Sequence, residues 1–117
     1  MTTTIIANLE KLLGGPRDGA LLRYSLGNEY LKVDDPTKAV EHLRAAIDRD
    51  PNFSAAWKLL GKALAEAGNT QAALDAFSQG RLVAERKGDI QAVKEMAVFA
   101  RRLLKKENES LAQPPSV

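Results

Sequence analysis

The chain has 117 residues, of which 44% are hydrophobic and 27% are charged, a composition that is ordinary for a globular domain. It contains no cysteine, which excludes disulfides, thiolate chemistry and cysteine-ligated metals. The formal net charge of +2 is too small to imply a nucleic-acid partner, and the N-terminus lacks the basic region and the apolar stretch of a signal peptide or membrane span. We therefore expect a single cytoplasmic domain.

Strand signals are missing, and signals for helix starts and stops recur instead. Gly14-Gly15-Pro16 separates a short first helix from the next, Asp35-Pro36 fits an N-cap followed by proline, and Asp50-Pro51 stops a further helix. Gly68-Asn69 and Gly88-Asp89 each join a helix-ending glycine to a cap. The connections are short, so successive helices should pack as antiparallel neighbours. The predicted helices span 3–13, 18–33, 36–49, 53–67, 70–87 and 89–107.

The sequence repeats itself at a spacing of 34 residues, which aligns 20–53 with 54–87. The identical pairs are Leu26 with Leu60, Gly27 with Gly61, and Ala39 with Ala73. Small residues at these positions let two helices approach closely, so we expect each glycine to face the alanine of its own unit.

These positions resemble the tetratricopeptide repeat, whose unit reads W-x2-L-G-x2-Y, then A-x3-F, then P. The matching residues of the second unit are Trp57, Leu60, Gly61, Ala73 and Phe77, with Leu64 in place of the tyrosine. Those of the first unit are Leu26, Gly27, Tyr30, Ala39, Leu43 and Pro51, with Arg23 in place of the tryptophan. The resemblance implies an all-α fold, a right-handed superhelical array of antiparallel helix pairs. It also makes Trp57 part of the scaffold, directed into the packing of the helix pair.

The resemblance makes residues 1–107 one helical domain. The tail over 108–117, with its Gln-Pro-Pro-Ser, has nothing to bury and should be disordered. The parts of the domain are an N-terminal helix and linker (1–19), repeat 1 (20–53), repeat 2 (54–87) and a C-terminal capping helix (88–107). The apolar stripe of this last helix either covers the end of the array or forms an interaction surface, such as a homodimer through Phe99 and Leu103. The N-terminal stripe is expected to cover the other end with Ile5, Ile6, Leu9, Leu12 and Leu13.

No catalytic constellation is present in the sequence. The one histidine, His42, has no partner at a recognisable spacing and is interpreted as structural. The glycine-rich stretch 14–19 is not preceded by a strand, so it is interpreted as a linker and not as an anion site. We expect no enzyme activity, no metal and no cofactor.

The resemblance implies a concave groove that takes up a peptide and is lined by the first helix of each unit. The groove residues would be Leu21, Tyr24, Ser25, Asn28, Leu31 and Lys32 from repeat 1, and Ala55, Lys58, Leu59, Lys62, Ala65 and Glu66 from repeat 2. Lysines outnumber Glu66, so the groove should prefer an acidic segment or a free C-terminal carboxylate. Asn28 is the one member present of the family's set of carboxylate-clamping residues.

The predicted function is therefore a non-catalytic adaptor or scaffold that binds a peptide segment of another protein. Two alternatives remain open. One is a self-associating structural subunit of a larger assembly. The other is docking on nucleic acid or an anionic surface through the basic C-terminal helix, although residues 81–106 contain no recognisable nucleic-acid motif.

Overall fold

A computed structural model describes residues 2–112, which form six α-helices. The all-α prediction is confirmed, and the third and fifth helices have the predicted bounds. The helices are α1 (Thr2–Glu10), α2 (Ala20–Lys32), α3 (Pro36–Arg49), α4 (Ser54–Glu66), α5 (Thr70–Lys87) and α6 (Ile90–Ala112). Within the described part of the chain, no helix is both long and apolar enough to cross a membrane.

The helix ends follow the local chemistry of the turns. The Asp35 carboxylate accepts a hydrogen bond of 3.2 Å from the Lys38 N–H, which caps α3 ahead of Pro36. Asp34 and Gly68 occupy equivalent positions of the two units, and both have positive φ angles, 60° and 83°. A residue with left-handed backbone conformation therefore follows the first helix at the same position in each unit.

The helices form two rows. Each helix packs on its neighbour in the chain, and α4 also contacts both α2 and α6, whereas α3 and α5 make no direct backbone-level contact within residues 2–112. Helix α4 contacts both α2 and α6, whereas α3 and α5 do not contact each other, so the array curves around the row α2, α4 and α6. We call the row α2, α4 and α6 the inner face and the row α3 and α5 the outer face.

Two close approaches between helices occur at Gly27 and Gly61. A Cβ on Gly27 would lie 2.5 Å from Leu43 Cγ, and one on Gly61 would lie 2.4 Å from the Phe77 ring. The alanines at 39 and 73, which the sequence predicts to face these glycines, are fully buried. Each glycine thus makes room for the large residue one turn after its alanine.

Helix α6 continues further than predicted. The sequence predicted disorder from Asn108, whereas residues 108–112 are helical and exposed. No helix breaker precedes Pro114, and residues 104–112 include several strong helix formers, so the helix extends without tertiary contacts. The remainder of the predicted tail, 113–117, lies outside the described residues.

Two other packing predictions can be compared with the structure. In the N-terminal stripe Ile6 is buried, while Ile5 is 45% exposed, so one side of α1 covers the array. Trp57 is half-buried and its indole N–H donates a 2.8 Å hydrogen bond to the Pro51 carbonyl. Its ring lies between α4 and the outer helices, beside Arg44 and Asp48, which is a shallower position than the sequence suggested.

Candidate functional site

Helix α2 contributes the six predicted groove residues of repeat 1, and the structure exposes them unequally. Leu21 is 70% exposed and Ser25 is half-buried. Tyr24 is half-buried, with its ring centroid 4.9 Å from that of Phe53. Asn28 and Leu31 are also half-buried on α2. Lys32 is exposed, and its ammonium group pairs with Glu29 on the same helix at 2.9 Å. Tyr24, Asn28 and Leu31 share one side of the helix by spacing and form a partly accessible row.

Helix α4 contributes the six predicted groove residues of repeat 2, of which Ala55 and Ala65 are half-buried. Leu59 is 8% exposed and belongs to the core, so it is not an accessible contact. Lys58 forms an ion pair of 3.2 Å with Glu95 of α6. Lys62 and Glu66 are exposed near the end of α4 and line the same cavity. The structure therefore brings Lys62 and Glu66 together and separates Leu59 from them.

The cavity beside Lys62 lies between α4 and α6, with α5 contributing to its lining, and we call it the α4–α6 cleft. Its volume is about 260 Å³. The lining residues are Lys62, Ala65, Glu66, Phe77, Phe99, Arg102, Leu103 and Lys106. The rings of Phe77 and Phe99 are 5.9 Å apart, and the Lys62 ammonium lies 5.1 Å from the centroid of Phe99, within cation–π range. The cleft thus joins an apolar lining to a charged rim.

The positive charge of the inner face is concentrated at this cleft. Lys32 and Lys58 are neutralised by their glutamate partners. Lys62, Arg102 and Lys106 take part in no ion pair with the described residues, and Glu66 is the one acidic residue in the cleft lining. The predicted mild positive potential is therefore shifted from the middle of the groove towards α6.

Helix α6 is the wall of the groove that sequence reasoning did not assign. The sequence predicts a capping role for this helix, or a self-association surface at Phe99 and Leu103. The 34-residue spacing contained a usable signal, because it places α6 as the first helix of a third unit, next to α4 on the inner face.

A polar cluster on the other side of α2 fixes the linker that precedes this helix. The Asp18 carboxylate accepts hydrogen bonds from Arg23, at 2.8 and 2.9 Å, and from the Gly14 N–H at 2.9 Å. These hydrogen bonds hold the pKa of Asp18 well below its usual range. The glycine-rich stretch therefore binds its own carboxylate, which supports its interpretation as a linker.

His42 lies in the same region and has a structural environment. Its ring stacks on Tyr30 with centroids 5.5 Å apart, and Nδ1 is 3.4 Å from the Arg23 guanidinium. Burial, and then the nearby Arg23 charge, lower the pKa of His42. Burial and a 2.8 Å hydrogen bond to Glu10 raise the pKa of Tyr30 to about 12. Within residues 2–112, no group of three His, Cys, Asp or Glu side chains is placed to hold a metal ion.

Known proteins share both the sequence and the arrangement of helices. TPR repeat-containing protein PA0015 of Pseudomonas aeruginosa is 48% identical over 99 residues, which is 85% of this chain and 94% of that protein. The solution structure of protein BPP2914 from Bordetella parapertussis is 43% identical, with a TM-score of 0.77 over 88% of this chain and 90% of that chain.

A more distant structure has the same fold. The Sgt2 TPR domain of Aspergillus fumigatus is 23% identical and has a TM-score of 0.80, over 99% of this chain and 76% of that chain. This likeness confirms the superhelical array of helix pairs. The sequence profile of the tetratricopeptide repeat family matches residues 24–90, which is more than half of the chain. The chain therefore belongs to the tetratricopeptide repeat family.

Proposed function

We propose that this protein is a non-catalytic adaptor that binds an acidic segment of another protein along the inner face. The observation that carries the proposal is the partly accessible surface formed by α2 and α4, which ends at the positively charged α4–α6 cleft. The family consists of interaction modules, which supports a role in protein binding. A cytoplasmic location, predicted from the sequence, remains part of the same proposal.

The chemistry of the inner face selects the partner. Tyr24 and Leu31 offer apolar surface, Asn28 offers an amide that both donates and accepts hydrogen bonds, and Lys62 offers an ammonium group. An extended segment with carboxylate side chains, or with a free C-terminal carboxylate, matches this set. Two repeat units provide a short groove, so we expect affinity in the micromolar range.

The test changes the inner face without changing the fold. In the double variant Asn28→Ala with Lys62→Glu, both altered side chains are accessible and neither belongs to the core. The matched control is Arg81→Glu, which reverses an exposed charge on the outer helix α5. A library of random peptides is selected for binding to the wild-type protein. The affinity of the enriched peptides for the wild type, the double variant and the control is then measured by calorimetry.

We expect enriched peptides rich in Asp and Glu, with binding that weakens as salt rises. The double variant should bind them at least about tenfold more weakly, because a charge-assisted contact is replaced by repulsion. The control should bind like the wild type. Equal binding by the double variant would show that the partner docks elsewhere.

A further inference from the structure

Helix α6 is in register with α2 and α4 but lacks a packing partner that both of them have. The seventh and eighth residues of the three helices are Leu26-Gly27, Leu60-Gly61 and Met96-Ala97. The seventh residue is at most 2% exposed in each case. The side chains of Leu43 and Phe77, each from the second helix of its unit, lie against the two glycines. Within residues 2–112 no second helix follows α6, and Ala97 is partly exposed.

The side of α6 on which Ala97 lies is apolar along the helix. Ile90 is 58% exposed, Leu104 is 47% exposed and Leu111 is 75% exposed. These three residues and Ala97 recur every seven residues, so they lie within about 60° of one another around the helix. We call this stripe the open face. Phe99, which lines the α4–α6 cleft, lies roughly 200° around the helix from Ala97, so the open face and the cleft are separate surfaces.

The equivalent side of α4 is covered. Ser54 and Gly61 are the first and eighth residues of α4, as Ile90 and Ala97 are of α6. Both Ser54 and Gly61 are buried, and Gly61 lies beneath the ring of Phe77 from α5. The open face is therefore the side of α6 that corresponds to the helix-binding side of α4, and its shape fits a helix that packs on it as α5 packs on α4.

The charges beside the open face are mostly positive. Lys94 and Arg101 lie three or four residues from members of the stripe, and Lys105 lies one turn after Arg101. All three are exposed and take part in no ion pair with the described residues. Glu107, near the C-terminal end, is the one carboxylate of α6 at such a spacing from the stripe. The open face as a whole therefore carries net positive charge.

We propose that the open face binds an amphipathic helix of another protein, one whose apolar stripe is flanked by acidic residues. The apolar side chains of that helix cover Ile90, Ala97 and Leu104, and its carboxylates pair with Lys94 and Arg101. A second copy of this chain is a poorer match, because its own open face brings the same cations. This inference goes beyond the adaptor function, since it concerns a different side of α6 and a helical partner.

Two synthetic helical peptides, each about as long as the open face at roughly 21 residues, test the inference on the full chain. Both carry leucine at the first and fourth positions of a seven-residue repeat, and they differ only in having glutamate or lysine at the positions that flank the leucines. Nuclear magnetic resonance titrations measure the affinity and locate the site. We expect the acidic peptide to bind in the micromolar range and to perturb the amides of residues 90–104. The basic peptide should bind at least about tenfold more weakly.

Charge reversal tests the pairing of the flanks. Lys94→Glu combined with Arg101→Glu should weaken binding of the acidic peptide at least about tenfold and strengthen binding of the basic peptide, because the flank changes sign. The matched control, Lys11→Glu combined with Arg17→Glu, makes the same change of net charge at exposed positions between α1 and α2 and should leave both affinities unchanged. Leu104→Ser should weaken binding of both peptides, since it removes apolar contact without altering charge. Circular dichroism verifies that every variant keeps its helices.

Absence of binding by the acidic peptide up to millimolar concentration would overturn the inference, and so would equal affinity for the two peptides or perturbed amides confined to α2 and α4. Vesicles of phosphatidylserine with phosphatidylcholine, and random duplex DNA, are titrated in the same way. Tighter binding of either one, lost on reversal of Lys94 and Arg101, would assign the open face to an anionic surface instead.

The inner-face variant Asn28→Ala with Lys62→Glu separates this inference from the proposed function. It should bind the acidic helical peptide within about twofold of the wild type, because its altered side chains lie on α2 and α4 and not on the open face. Loss of that binding in the inner-face variant would place the helix on the inner face and overturn the inference.

Discussion

At the scale of the residue, the spacing between the two helices of a unit depends on the absence of a side chain. Gly61 lies against the ring of Phe77, which is 2% exposed and also contacts Phe99. Gly27 has the same place in the first unit, but the group opposite is the branched, flexible end of Leu43. The two positions are equivalent in sequence and differ in how well the neighbour can move.

We predict that Gly61→Ala destabilises the protein by up to about 2 kcal/mol. Alanine gains about 1 kcal/mol of helix propensity over glycine, but the forced overlap with a rigid ring costs about 1–3 kcal/mol. Gly27→Ala should cost less, because Leu43 has rotatable bonds with which to yield. Urea denaturation of both variants measures the difference, and a stabilised Gly61→Ala would show that the helices separate freely.

At the scale of the element, α1 is the helix with the fewest attachments. Within residues 2–112 its helix–helix contacts are with α2 alone. It is anchored by Ile6 in the core and by the 2.8 Å hydrogen bond from the Tyr30 hydroxyl to Glu10. A helix held by one neighbour opens more easily than one packed on two or three.

Removing the Tyr30 hydroxyl should therefore loosen α1 alone. In Tyr30→Phe we expect the amides of α1 to exchange hydrogen about fivefold faster, which corresponds to the loss of about 1 kcal/mol for one hydrogen bond. Amides of α4 and α5 should be unaffected. Tyr24→Phe is the matched control, because the Tyr24 hydroxyl has no side-chain hydrogen bond among the described residues. Faster exchange throughout the variant would contradict a local role.

At the scale of the whole molecule, stability should depend on pH through His42 before any carboxylate is protonated. The pKa of His42 is lowered in the folded state by burial and by Arg23, while Glu10, Glu41 and Asp18 act weakly in the opposite direction. The unfolded chain, with a histidine pKa of about 6.5, therefore binds more protons below that pH. Protonation of His42 favours unfolding.

We expect the free energy of unfolding to be level above about pH 7 and to fall as the pH drops below about 6.5. The lowered pKa of Asp18 acts in a separate window, because its stabilising effect is present above about pH 4 and is lost only below it. In His42→Gln the decline between about pH 6.5 and pH 5 should disappear. Urea titrations at constant ionic strength test this, and an equal decline in the variant would assign it to other groups.

The fold could be predicted from the sequence because its determinants are local and periodic. Asp35-Pro36 and Gly88 set helix ends by backbone chemistry, and the 34-residue spacing of Leu26-Gly27 and Leu60-Gly61 sets the pairing of the helices. A helix over residues 108–112 is not predicted from the sequence, because that prediction rests on burial, whereas local helix propensity continues the helix there.

The candidate site could be predicted only in part. The repeat register located Lys58 and Lys62 on the first helix of the second unit. Whether each is free or paired depends on the distance between α4 and α6, and Glu95 of α6 neutralises only Lys58. Gly80 of α5 lets both Met96 of α6 and Trp57 of α4 approach closely, and the spacing of the lysines does not show how these three helices meet.

Trp57 gives the protein an intrinsic fluorescence signal. It is the single tryptophan of the chain, and its indole lies where α4 meets both outer helices, with Arg44 and Asp48 on one side and Asp75 and Gln79 on the other. Tryptophan emission is thus an intrinsic, label-free signal from the junction of the two repeat units. A change in the emission wavelength of Trp57 should report separation of the two units. Events at α1 or at the C-terminal end of α6 (residues 104–112) should leave this wavelength unchanged.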